Sequence, residues 1–141
     1  MLFRSNETPE NLLPFMKRIT AKHPDQTRKL LDAFVIRLLE TMELEQVHDF
    51  LKAFKKKSSL MRKVERMNEI HEDLDCMQEL GELYYGFHQL EKSIECFQME
   101  MELKPSAPEP LRWLSKVYAD KKMLDESKAY QQLCVDVQKW A

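Results

Sequence analysis

Glycine and proline are almost missing from the places where a sheet protein would need them. The chain has two glycines, Gly81 and Gly86, and six prolines, and residues 25 to 104 contain no proline at all. Tight turns draw on these two residues for their special backbone angles, so a many-stranded fold is excluded and helices joined by short polar links are expected. Cysteine is also scarce. Three cysteines, Cys76, Cys96 and Cys134, are an odd number in a chain of 141 residues, which is long enough to bury a core without staples. This excludes a disulfide framework and predicts reduced thiols on helices. Long apolar runs are missing too: nothing approaches the ~18 residues of a membrane span, and residues 1 to 24 show no basic start followed by an unbroken apolar stretch. The chain is therefore expected to be cytoplasmic, with no membrane partner.

What is present is charge and helical periodicity. Charged residues make up 33% of the chain, above the usual quarter, so its helices should carry solvated outer faces. A first helix is expected from Thr8-Pro9-Glu10 or Asn11, with Leu12, Phe15, Met16 and Ile19 on one side, ending at His23-Pro24. From Gln26 to Met42 the residues Leu30, Leu31, Phe34, Val35, Leu38 and Leu39 recur at three and four, the stripe of an amphipathic helix. A third helix from Glu43 carries Leu44, Val47, Phe50, Leu51 and Phe54. Lys55-Lys56-Lys57-Ser58-Ser59 then breaks the pattern, and Leu60, Met61, Val64, Met67 and Ile70 resume it to Glu72. The length is that of one domain, organised as an N-terminal helical region over 1–72 and a distinct region over 74–141.

That second region repeats itself at 34 residues. Leu80-Gly81-Glu82-Leu83-Tyr84 aligns with Leu114-Ser115-Lys116-Val117-Tyr118, and Leu90-Glu91-Lys92-Ser93 aligns with Leu124-Asp125-Glu126-Ser127. Met77, Leu80-Gly81, Tyr84, Ser93, Phe97 and Pro105 in the first unit, with Leu111, Leu114-Ser115, Tyr118 and Ser127 in the second, resemble the tetratricopeptide repeat (TPR) family. Small residues at Gly81 and Ser93 let two antiparallel helices approach, while Leu80, Tyr84 and Phe97 fill the seam. Glu100 departs from the pattern, standing where a small residue is usual, and Tyr130 comes one residue early. Residues 27–57 read as a degenerate TPR-like hairpin, Leu44-Glu45-Gln46-Val47 echoing Leu90-Glu91-Lys92-Ser93 without the small residues. The resemblance implies an all-α fold: an α-solenoid of TPR-like antiparallel helix hairpins with an N-terminal helical bundle or cap. Repeat arrays normally need about three units plus caps, so the stripe Tyr130, Leu133, Cys134, Val137 and Trp140 of the closing helix needs a cover.

In that family the first helix of each hairpin lines a concave groove. The groove positions fall here on Asp75, Gln78, Glu82, Tyr85 and Gly86, then on Glu109, Arg112, Lys116, Ala119 and Asp120. The implied groove changes sign along its length. Gln78 and Glu82 break the lysine and asparagine pattern of the family's carboxylate clamp, whereas Arg112 and Lys116 can hold an acidic side chain. Trp113 sits beside them, either as an exposed hot spot or as core.

Other chemistry finds little support. Lys52 to Arg66 holds seven bases and one acid, and Met67 to Leu103 ten acids and one lysine. The first block would suit nucleic acid, but a pI near 6.1 and the lack of a reading motif argue against it. His71, Asp75 and Cys76 fall short of a closed zinc tetrahedron, so neither metal nor cofactor is expected. No nucleophile–base arrangement or phosphate-cradling glycine loop appears, so no enzyme is expected. The function expected is binding of a partner protein or peptide through Gln78, Glu82, Tyr85, Arg112, Trp113 and Lys116. The alternative is a homodimeric scaffold whose groove its own helices fill, and behind it a nucleic-acid-associated regulator using the basic run 52–66.

Overall fold

The computed structural model describes residues 28–54 and 57–140. The first expected helix, from Thr8-Pro9-Glu10 or Asn11 to His23-Pro24, and Lys55-Lys56 lie outside these. Among the described residues every regular element is helical and no strand occurs. No helix there is long and apolar enough to cross a membrane. Where length alone pointed to one compact body, the chain divides into two, Met1–Glu69 and Ile70–Ala141.

In the first unit α1 spans Arg28–Thr41, α2 Leu44–Leu51 and α3 Ser59–Ile70. The predicted stripe of α1 is its buried side, with Leu31, Phe34, Val35, Leu38 and Leu39 out of solvent. Two residues link α1 to α2. There the Glu43 backbone N–H donates to Gln46 Oε1 at 3.1 Å, which satisfies one of the donors a helix start leaves open. Phe34 of α1 meets Phe50 of α2 with ring centroids 5.8 Å apart. The third predicted helix stops earlier than its apolar pattern: it ends at Leu51, and Phe54 is buried from the turn that follows. α3 starts where Ser58 Oγ accepts from the Met61 N–H at 3.2 Å and ends at Ile70, two residues before the expected Glu72. Its buried residues Met61, Val64, Met67 and Ile70 keep the helical spacing.

In the second unit a single 3₁₀ turn, Leu74–Cys76, leads into α4 (Met77–Gly86), α5 (Leu90–Leu103), α6 (Pro108–Asp120) and α7 (Leu124–Trp140). Each of these helices packs on its neighbour in sequence, as links of three or four residues require. Pro105 stops α5 and Pro108 opens α6, where a missing N–H costs nothing. The closing helix expected beyond the second hairpin is no separate element: α7 runs unbroken to Trp140.

The 34-residue register of the sequence reappears in the geometry. Ser93 Oγ donates across the first hairpin to the Gly81 carbonyl at 2.9 Å, and at the equivalent place Ser115 Oγ and Ser127 Oγ each donate to the other's carbonyl at 2.8 Å. Ordinarily a serine in a helix interior bonds back to its own helix and weakens it; here the hydroxyls instead tie two helices at closest approach. Gly81 is what permits that approach, since a Cβ there would stand 2.7 Å from the Phe97 ring.

The hairpin turns repeat as well. Gln89 donates to Tyr84 O and His88 to Tyr85 O, each at 3.0 Å, and 34 residues on Met123 donates to Tyr118 O at 2.9 Å and Lys122 to Ala119 O at 3.0 Å. This 6→1 and 5→2 pair is the Schellman ending, and it places His88 at φ 60° and Lys122 at φ 65°, the left-handed region. Neither is glycine, so each carries a steric cost that glycine avoids. Lys122→Gly, at an exposed position, should therefore stabilise the unit by about 0.5–1 kcal/mol, the scale of removing such strain less the entropy glycine adds to the unfolded chain. Urea unfolding followed by tryptophan fluorescence reads this unit alone, because Trp113 and Trp140 both lie in it.

The core of this unit is Ile94, Phe97, Leu114 and Val117, with Leu90, Met101, Tyr118 and Tyr130 packed against it. Cys96 and Cys134 are buried free thiols, and burial pushes the Cys96 thiol up to about 12.

Candidate functional site

The residues singled out for binding lie on α4 and α6, the first helix of each hairpin. Spacing of three and four along each helix brings them to one side, and the fold sorts them into three groups. Gln78 and Glu82 form an intrahelical pair, Gln78 Nε2 donating to Glu82 Oε2 at 3.2 Å. Arg112 is closed onto Glu109 one turn earlier, which holds its guanidinium pKa above the ordinary value. Tyr85, Trp113 and Lys116 converge.

The convergence is aromatic and cationic. The Tyr85 and Trp113 rings meet edge to face with centroids 5.4 Å apart, and Phe97 stacks against Trp113 at 5.5 Å. The Lys116 ammonium lies over both exposed-side rings, 5.0 Å from the Tyr85 centroid and 4.9 Å from that of Trp113. The Tyr85 hydroxyl donates to the Asp120 carboxylate, a bond between residues 35 apart that locks the end of α4 to the end of α6. Trp113 is half-buried, so it is both core and surface: Phe97 backs one side of the indole while Lys116 covers it from the helix surface. Beside Tyr85, Gly86 opens on empty space, with nothing within 4 Å of where a Cβ would stand.

Two elements of this site escaped the sequence reading. The repeat register puts Asp120 on the groove line, and the structure makes it a member of the cluster by joining it to Tyr85 at the ends of α6 and α4. Phe97, a seam residue by its spacing, also backs the Trp113 indole. A third tie, Lys121 to Glu91, joins the second hairpin turn to the start of α5 and carried no local signal.

The charged groove positions of α6 have partners within the chain. On α6 Arg112 is neutralised by Glu109, Lys116 rests on rings and Asp120 serves Tyr85. The sequence of α4 has Glu79 and Glu82 and no basic residue of its own.

Hydrogen bonding to Asp120, then burial, pushes the Tyr85 phenol from 10.0 up to about 12. Because the folded value exceeds the unfolded one, the contact's contribution is fully present below pH 10 and is lost as pH rises from about 10 to about 12. Asp120→Asn should return Tyr85 toward the ordinary tyrosine range near 10. Ultraviolet titration at the phenolate band checks this: one tyrosine fewer should ionise late in the variant, while Tyr118, which burial also pushes up, stays late in both.

Comparison with protein-family models, with curated proteins and with solved structures finds no match for this chain.

Proposed function

We propose that residues 70–141 form a protein-interaction module of the tetratricopeptide kind, which takes a peptide or helix of a partner protein across α4 and α6. The observation that carries this reading is the shared cluster of Tyr85, Trp113, Lys116 and Asp120. It unites the first helices of two hairpins whose seams and turns repeat at 34 residues. Half-buried aromatic rings held in place, flanked by exposed charges, are what an interface anchor needs: area without much ordering cost, and charge to set register.

The test is a peptide-display selection against the purified full chain, with the selected peptides then titrated against Glu82→Lys combined with Arg112→Glu. Both positions are exposed, so the fold should survive. Selected peptides should lose at least tenfold in affinity, about 1.4 kcal/mol. Wild-type affinity in the double variant would sink the reading.

A second reading has its own observation. Leu133 is 47% and Trp140 88% exposed on α7, an apolar flank that a second copy of the chain could cover. Light scattering over a concentration series separates the two: a 16.9 kDa species throughout removes self-assembly, whereas a dimer that Trp140→Ser dissociates supports it.

A further inference from the structure

The Lys116 ammonium is a cation already seated on a cation-binding surface. It lies within 5.0 Å of two ring centroids, and no carboxylate among the described residues pairs with it. Its side chain is exposed and free to leave. The rings beneath it are not free. Fully buried Phe97 backs Trp113, and Asp120 holds the Tyr85 hydroxyl, so the two negative ring faces are preorganised whether or not Lys116 covers them. The surrounding charge favours a cation from outside. Arg112 and Lys121 are each closed by a carboxylate of this chain, Glu109 and Glu91, while Glu82, one turn before Tyr85, is exposed and among the described residues is answered by the neutral amide of Gln78.

We infer that Lys116 is a resident stand-in for an arginine of the partner peptide. The guanidinium takes the place over Tyr85 and Trp113, turns its N–H groups toward Glu82 and Asp120, and Lys116 swings into water. Arginine suits the position better than lysine because its planar, weakly hydrated head stacks on rings and donates sideways at once, while an ammonium gives up more hydration for the same contact. The inference rests on the groove reading and gives the partner its chemistry. It also reverses the sequence expectation that Arg112 and Lys116 recruit an acidic side chain.

The experiment uses the full chain carrying Trp140→Phe, so that the indole N–H signal of Trp113 is the sole one in a nitrogen-edited NMR spectrum. The probes are four capped nine-residue peptides, identical except for two central residues that are arginine, citrulline, lysine or glutamate. The arginine peptide should shift the Trp113 indole and the amides of α4 and α6 saturably, the lysine peptide more weakly and the citrulline peptide not at all. Lys116→Ala should bind the arginine peptide about two- to fivefold more tightly, because an internal competitor worth one surface cation–π contact is gone. Weaker binding by Lys116→Ala overturns the inference. So does a glutamate peptide that shifts these signals while the arginine peptide stays silent, although that result leaves the groove reading standing. If all four peptides and the display-selected binders leave α4 and α6 unmoved, both readings fall.

Discussion

Phe97→Ala should cost the second unit about 3–5 kcal/mol, the usual toll for deleting a fully buried aromatic ring whose cavity cannot collapse. Phe97 is 0% exposed and touches three structures at once. It belongs to the central cluster with Ile94, Leu114 and Val117, it lies against the glycine of α4, and it backs Trp113 on α6. Two rigid helices tied by the Ser93 hydroxyl cannot close over the space it leaves. A loss of this size is a large part of the stability of any small domain. Tryptophan fluorescence in urea should show the midpoint falling sharply or the folded baseline disappearing. The same variant should loosen the binding cluster, since the indole loses its backing.

Gly81→Ala should destabilise the unit although alanine is the better helix former. A methyl group at 2.7 Å from Phe97 Cε1, 2.9 Å from Cζ and 3.0 Å from Cδ1 is inside contact distance of the whole ring edge. The ring cannot step aside, being enclosed by the core and stacked on Trp113. Overpacking of this kind costs about 1–3 kcal/mol, and replacing glycine in a helix interior returns at most ~1 kcal/mol. The expected net loss is up to about 2 kcal/mol, or as much as roughly 8–16 °C in Tm for a unit of this size. A gain in stability from Gly81→Ala would show that the hairpin is looser than described. Adding Phe97→Leu should make the two changes less than additive, because the smaller side chain leaves room for the methyl; a coupling of about 0.5 kcal/mol or more in the double-mutant cycle checks the contact itself.

Much of the helical layout was legible in the residues. The stripes of α1 and α3 and the break before α3 announced themselves, because apolar period depends on residues within a turn or two of each other. The packing of Gly81 against Ser93 was legible too, since a 34-residue match puts small residues on facing sides of consecutive helices. The end of α2 was not. Phe54 keeps the apolar spacing, yet it is buried from a turn, so the pattern outran the helix. The turns at His88 and Lys122 gave no warning either. Their left-handed conformation is imposed by the six-to-one bond that closes each hairpin, whereas the glycine that usually marks such an ending, Gly86, lies two residues earlier with an ordinary φ. Glu100 read as a departure from the repeat, and the structure places it 4% exposed with one carboxylate oxygen on Lys104 at 3.0 Å.

By itself the sequence determined where most helices run, that consecutive helices in residues 74–137 must double back, and how Gln78, Glu82, Tyr85, Arg112, Trp113 and Lys116 are spaced along α4 and α6. Those are consequences of local spacing and short links, which act before any two helices meet. Only the tertiary structure decided what the six side chains do. It buried half of Trp113 on Phe97, joined Tyr85 to Asp120, laid Lys116 over two rings and cancelled Arg112 with Glu109. Except for the Arg112–Glu109 pair and the Lys116–Trp113 contact, both within α6, these depend on the distance and rotation between helices whose contacting residues are far apart in the chain. No periodicity encodes those quantities, because they are set by how the seam residues Gly81, Ser93 and Phe97 allow the helices to close.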